Sequence, residues 1–389
     1  MQRNHFVALD SWRGICALMV AAGHLKTSGL YSSLLISTTS YRFVDFFFVL
    51  SGFVIAHAAR DSVAANGRLA WGFMLRRLGR LWPLHVALLA GFALWQFALL
   101  AANNAGIDTG EAAFVDKFDP LLLPANLLLV QAWGFYPFAS WNGPAWSISA
   151  EVAAYIVFAA CFGLFGRRGW MPLLGIGVAA LAVLLISGGY GMTATYDIAL
   201  ARCLAGFVAG VFVHALWTEI PDIRVPQATA IEAATVILVF LAVSYLPLDY
   251  GVVVIPLFAA TVLLFAYEQG AVSRWLRRPF GKRLGELSYS IYMVHALLAV
   301  GILSAAALAP RFGIPNFALG PVPFDNRGIV TLPIVADLLI VAFLALTVAI
   351  SMLSFRWIER PWRDRAKVAA RKLDARLAGV SVTPSTRAS

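Results

Sequence analysis

Charge is scarce in this chain. Only 13% of its 389 residues are charged, against 60% that are hydrophobic, and the mean hydropathy is +0.78. That balance excludes a soluble enzyme, whose core could not hide so much apolar surface, and it reads as an integral membrane protein. Cysteine is scarce as well. Cys16, Cys161 and Cys203 are an odd number, all in apolar runs, and show no C-x-x-C spacing, so neither a disulfide framework nor a metal site is expected. Short alternating apolar segments are missing, which argues against a β-barrel. Internal repeats, low-complexity linkers and a strand-rich domain are missing too. The first apolar run is interrupted by Asp10 and Arg13 and no small-residue cleavage site follows it, so it is expected to stay as a span.

What the chain does have is ten apolar runs, each near the roughly 20 residues a helix needs to cross a bilayer. They lie near 7–25, 43–59, 81–102, 144–166, 170–188, 197–217, 229–247, 250–269, 285–309 and 328–355. The expected fold is all-α, a polytopic membrane protein of about ten transmembrane helices. If both termini are cytoplasmic, 23 of the 30 Lys and Arg fall on the cytoplasmic side. Lys26, Arg42, Lys117, Arg311 and Arg327 then face outward, and Arg13 and Arg202 lie within helices. The positive-inside rule favours that orientation. The long outer segment from Asn103 to Gly143 agrees, with Asp108, Glu111, Asp116 and Asp119 against Lys117. The net charge of +10 is therefore mainly topological. Without a basic soluble domain, no nucleic-acid partner is expected. The expected organisation is one membrane domain, 1–362, and a basic cytoplasmic tail, 363–389, which reads as solvated with anionic lipid as its alternative contact.

Ionisable residues inside the membrane carry the functional information, because their burial is costly and they usually line a site. In LDSWRGICALMVAAGHL (9–25), Arg13 and His24 are eleven residues apart, which places them on one stripe of the helix at roughly 16 Å of axial rise. Asp10, one turn before Arg13, is placed to pair with it. In FMLRRLGRLWPLH (73–85), Arg77 and Arg80 show two guanidinium forks on one face at the cytoplasmic start of the third helix. That geometry suits phosphate, although basic residues at such a place also serve as plain topology anchors. In WNGPAWSISAEVAAYI (141–156), Glu151 is expected about two turns inside the fourth helix, at a depth like that of His24. A carboxylate and an imidazole at one depth are the parts of a general-base pair. Arg202 either joins them or pairs with Asp197. Asp45 begins the second helix from outside, and the Ser51-Gly52 pair after it suits close helix contact or a kink. His295 lies near mid-bilayer, as a structural or a catalytic histidine. Ser147, Ser149 and Cys16 are the candidate nucleophiles for a covalent route.

LDSWRGICALMVAAGH, VDFFFVLSGF, RRLGRLWP, WSISAE, LGELSYSIYMVH and IERPWR, in this order from Leu9 to Trp362, resemble the acyltransferase 3 family of bacterial membrane acyltransferases. The resemblance implies a ten-helix core in the bacterial cytoplasmic (inner) membrane. Such a core takes an acyl group, usually acetyl, from cytoplasmic acyl-CoA to an extracytoplasmic acceptor, commonly a surface glycan or lipid-linked sugar. By motif position, the family's Arg and His are Arg13 and His24, its R-x-x-R is Arg77 and Arg80, and its W-S-L-x-x-E carboxylate is Glu151. Ile148 stands for the usual Leu, and Val152 and Ala153 stand where a second Glu and a Gln are common, so Glu151 is expected to act alone. The expected mechanism has Arg77 and Arg80 on the coenzyme A phosphates, Arg13 along the path, and His24, oriented by Glu151, deprotonating the acceptor hydroxyl. Two other functional classes fit the same pattern: a transporter or flippase, and an acyl carrier that leaves the final transfer to a partner protein.

Overall fold

The structure, a computed structural model, describes residues 5–107, 109–221, 223–314, 318–323 and 325–377. Asp108 of the acidic outer segment and residues 378–389 of the tail lie outside the described residues. The expected all-α architecture is present. Each of the ten apolar runs corresponds to one long helix: α1 (Val7–His24), α2 (Phe43–Ala65), α3 (Ala70–Asn104), α4 (Trp146–Phe165), α5 (Trp170–Ile186), α6 (Ala199–Glu219), α7 (Ala228–Tyr245), α8 (Val254–Tyr267), α9 (Pro279–Leu308) and α10 (Pro333–Ser354). Among the described residues, eight helical stretches are long and apolar enough to cross a membrane. One of these, 143–186, holds both α4 and α5, and the chain reverses at 166–169, where Gly169 packs back on Cys161 and Phe162. Helix α1 falls outside that set because Asp10, Arg13 and His24 lower its hydropathy. The outer faces of the bundle are apolar, with Leu185, Ile186, Ile237, Leu238, Leu338 and Val341 all exposed. A surface in water would not keep such a belt, and a lipid-facing one requires it.

Two helix pairs make the core. Helix α1 packs along α9, and α2 packs along α6. The second crossing is close because Gly52 of α2 lies against the Phe207 carbonyl and Gly210 of α6 against the Val49 carbonyl, where a methyl group would collide with backbone. Of the Ser51-Gly52 pair, Gly52 thus serves close contact.

Among the boundaries that differ from the sequence reading, three bear on the site and its surroundings. Helix α3 starts at Ala70, eleven residues before the apolar run, because helix propensity continues through FMLRRLGRL although hydropathy does not. Arg77 and Arg80 therefore sit in the body of a 35-residue helix, and not at its end. Helix α10 starts at Pro333, since residues 328–330 belong to a hairpin, β1 (Ala318–Val322) with β2 (Asp325–Val330). That hairpin closes over the end of α1, where Ile329 N–H donates to the Lys26 carbonyl at 3.0 Å. Finally, the segment set apart from 363 onward continues the helix of the membrane domain. After one π-turn at 355–359, α11 (Arg360–Leu377) runs back along α3. Ala366 and Ala370, one turn apart, are buried, Gly79 lies against Ala366, and Arg76 pairs with Asp374 at 2.6 Å. Small residues on both helices let the basic segment dock, so residues 363–377 are packed along that face and not solvated throughout.

Candidate active site

Two cavities lie inside the bundle at successive depths along α1, and Tyr292 lines both. The first encloses about 790 Å³ including its open mouth. Each surrounding helix gives it one face at helical spacing: Arg13 from α1, Ser51 from α2, Arg77 and Arg80 from α3, Ser147, Glu151 and Tyr155 from α4, and Ser288 and Tyr292 from α9. The second, about 1170 Å³ on the same measure, is lined by Val20 and His24 of α1, Tyr41, Trp141, Trp146 and Arg202, with Lys117 near its mouth.

The three arginines of the first cavity are held differently. Arg13 is spent on structure: it pairs with Asp10 at 2.9 Å, as expected, and donates to Ser288 Oγ at 2.7 Å and to the Gly285 carbonyl at 3.2 Å, so it ties α1 to α9. Arg80 lies 3.6 Å from the carboxylate of Glu359, a fully buried residue of the π-turn whose other oxygen accepts from Ser290 Oγ at 2.9 Å. Arg77 lies 5.9 Å from the ring centres of Phe73 and Tyr155 and has neither a hydrogen bond nor an ion pair among the described residues. A guanidinium steadied by ring faces keeps its N–H donors for another acceptor.

Glu151 departs from expectation. Its carboxylate accepts from Tyr155 OH at 2.6 Å and from Ser51 Oγ, and it lines the arginine cavity, one level away from His24. The expected Glu151–His24 pair is not formed. The cause is the segment before α4. Gln131, Ser140, Asn142 and Ala145 are all buried, and Asn142 Nδ2 donates to the Met293 carbonyl, so the chain re-enters the bundle before the helix starts. Ser149 clamps this segment by donating to the Leu129 carbonyl and accepting from Ala132 N–H, which absorbs it into structure. Helix α4 thus begins deep, and its second turn reaches the level of the arginines.

His24 finds a different orienting partner. Its Nδ1 lies 2.8 Å from the Val20 carbonyl, one turn back. A carbonyl only accepts, so Nδ1 carries a proton, and in the neutral ring the lone pair is on Nε2. His295 packs on it from α9, with ring centres 4.6 Å apart, and has its own Nδ1 on the Ile291 carbonyl at 3.3 Å. The stripe expected for α1 is real: Arg13 meets Ser288, and His24 meets His295, on one face of α9. Lys26, just past α1, donates to the Ser37 carbonyl at 2.9 Å. Burial lowers its pKa from the ordinary lysine value, and Asp325 opposes that shift.

Arg202 pairs with Asp45 and not with Asp197. Its Nε and one terminal nitrogen lie 2.8 Å from the two carboxylate oxygens of Asp45, with both residues buried. Its guanidinium is 5.2 Å from the Trp146 ring centre at the wall of the histidine cavity. Asp197 instead accepts from Tyr190 OH and from the N–H of Ile198. The sequence reading missed Tyr155, Tyr292 and Glu359. Tyr155 follows Glu151 by four residues, and Tyr292 stands between Ser288 and His295 at helical spacing. Those intervals were available as signals, whereas nothing local marks Glu359 as the partner of Arg80.

The arrangement offers an unpaired guanidinium and a polar wall at one level, and an oriented imidazole at the next. The acyltransferase 3 family, described as "Acyltransferase domain", matches residues 6–358. The chain is 28% identical over 328 residues to "Acyltransferase MdmB" of Streptomyces mycarofaciens, covering 75% of this chain and 78% of that protein. It is 32% identical over 192 residues to "Protein 2 in picA locus" of Rhizobium radiobacter, covering 47% and 94%. It is 25% identical over 282 residues to "Nodulation protein 10" of Rhizobium leguminosarum bv. viciae, covering 66% and 73%. No solved structure matches. The match over nearly the whole chain, on a helical bundle built for lipid, places this protein in the acyltransferase 3 family as a multi-pass membrane acyltransferase.

Proposed function

We propose that this acyltransferase moves an acyl group, most simply acetyl, from acyl-CoA in the cytoplasm to a hydroxyl of an extracytoplasmic glycan or lipid-linked sugar, in a bacterial inner membrane. The single observation that carries this reading is the stacking of the two cavities, arginine-lined then histidine-lined, with Tyr292 common to both. Arg77, assisted by Arg80, holds coenzyme A phosphates by charge-assisted bonds. The pantetheine arm then points the thioester toward His24. The aromatic walls of the second cavity, Tyr41, Trp141 and Trp146, suit a sugar face. His24 Nε2 takes the proton of the acceptor hydroxyl as its oxygen attacks the thioester carbonyl. The C–S bond breaks with its electron pair on sulfur, and the imidazolium returns the proton to that sulfur, releasing the coenzyme A thiol. The decisive experiment supplies purified protein with acyl-CoA and acceptor. Acceptor acylated by the purified protein alone, and only in the presence of acyl-CoA, supports the reading, whereas acylation that needs an added partner protein favours a carrier and no acylation under any condition favours a transporter.

Two results follow from the same placement. With Glu151 bonded to Ser51 and Tyr155 beside the arginines, Glu151→Gln is expected to leave the pH midpoint of transfer within a few tenths of a unit of wild type. A carboxylate paired to the ring would instead lower that midpoint by about one unit or more when removed. pH–rate profiles of both proteins decide it. For orientation, Ser62→Cys at the exposed end of α2 is expected to resist a membrane-impermeant thiol reagent in intact cells, and Ala112→Cys to react. The native cysteines are buried and give little background. Labelling at position 62 alone would invert the proposed topology.

A further inference from the structure

We propose that Tyr292 is the gate between the two cavities, latched by Ser147 on the carbonyl of Pro144, and that it must swing aside for the thioester to reach His24. The proposal rests on the donor and acceptor assignment above. Tyr292 is 4% exposed although it lines both cavities, so its side chain forms part of the wall that separates them. Its ring is held edge-on by Phe47, with centres 5.5 Å apart, and by His295 at 5.8 Å. Its hydroxyl lies 3.0 Å from the Pro144 carbonyl and 2.8 Å from Ser147 Oγ, and Ser147 Oγ is itself 3.1 Å from the same carbonyl.

That triangle has two hydroxyl protons for three contacts. If both protons pointed at the carbonyl, the two hydroxyl oxygens would face each other without one, so one proton bridges the hydroxyls and the other goes to Pro144. Either hydroxyl can take either part. When Tyr292 leaves, Ser147 keeps the bond to Pro144, and opening gives up a bond without stripping the carbonyl of its side-chain donor. An unsatisfied buried acceptor is the larger penalty, so the redundancy makes the movement inexpensive. Ring edges that only touch Tyr292 do not resist it strongly. The closed state meanwhile keeps water of the acceptor cavity from the thioester. Water attacking that carbonyl in place of the acceptor would yield free acid and coenzyme A thiol.

The two halves of the latch predict opposite signs. Ser147→Ala makes Tyr292 the sole side-chain donor to Pro144, so opening strands the carbonyl, and the transfer kcat is expected to fall about three- to tenfold. Tyr292→Phe keeps the ring and loses the latch, so acceptor-free hydrolysis of acyl-CoA is expected to rise by a similar factor. Coenzyme A affinity, read by calorimetry in nanodiscs, stays within about twofold of wild type in both and reports correct folding. A merely structural role would lower both rates in both variants. Changes of one sign, or unchanged hydrolysis in Tyr292→Phe, with coenzyme A binding and wild-type transfer intact, overturn the gate alone. If Ser147→Ala fails to insert, the hydrolysis rate of Tyr292→Phe decides by itself. Wild-type protein that neither binds acyl-CoA nor transfers overturns the donor and acceptor reading, and the gate falls with it.

Discussion

His24→Asn is expected to retain only about one part in 10² to 10⁴ of acyl transfer while binding acyl-CoA like wild type. The substitution is conservative for structure. An asparagine side-chain amide can still donate toward the Val20 carbonyl, which His24 Nδ1 now meets at 2.8 Å, and it leaves the packing against His295 largely filled. What it removes is the basic nitrogen. Because that Nδ1 bond puts the lone pair on Nε2, wild-type transfer should also fall as pH drops through the imidazole's ionisation, since imidazolium cannot take the acceptor's proton. Steady-state transfer rates across pH, with coenzyme A binding as the control for folding, check both statements. Near-normal transfer by His24→Asn would return His24 to the role of a packed helix-end residue. His295, whose Nε2 is buried without a partner among the described residues, would then be the next base to test.

Arg77→Ala and Arg80→Ala are each expected to weaken acyl-CoA binding by about 1.5 to 3 kcal/mol, the worth of a hydrogen bond to a charged group, or roughly ten- to 150-fold. Only the second should also destabilise the protein. Arg77 has no ion-pair partner among the described residues, so its removal leaves nothing uncompensated. Arg80 faces Glu359, and truncation removes the ion-pair partner of a buried carboxylate that keeps its hydrogen bond from Ser290, at a cost approaching about 3 kcal/mol. Adding Glu359→Gln to Arg80→Ala should recover stability without recovering affinity, which thermal unfolding and calorimetry separate. Arg77→Lys should rescue only in part, because an ammonium keeps the charge and loses the planar fork. If both alanine variants bind coenzyme A like wild type, the two arginines are topology anchors and the donor site lies elsewhere.

Much of the site was legible because helical geometry is regular. The interval from Arg13 to His24 implies one stripe, and both residues do face α9. Asp10 sits one turn from Arg13 and pairs with it at 2.9 Å. The R-x-x-R pair lines one cavity wall, as its spacing required. Depth across helices was less legible. Counting turns inward from the outer end of α4 puts Glu151 level with His24, and that count fails because the buried segment around Asn142 starts the helix inside the bundle.

Hydropathy and charge are properties of the chain taken one residue at a time, and the thickness of a bilayer converts them directly into helices. They suffice for ten helices in order and for the few ionisable residues worth following inward, while the acyltransferase 3 resemblance rests on the identity and order of the motif residues. Partnership between helices depends on how each is rotated and on how deep each begins. Packing sets both, as where Gly52 and Gly210 let α2 and α6 touch. The tertiary structure alone therefore decides that Asp45 neutralises Arg202, that Glu359 reaches Arg80 from the far end of the chain, and that a backbone carbonyl, and not Glu151, aligns His24. It also decides that Tyr292 stands between the two cavities, since a wall exists only where several helices meet.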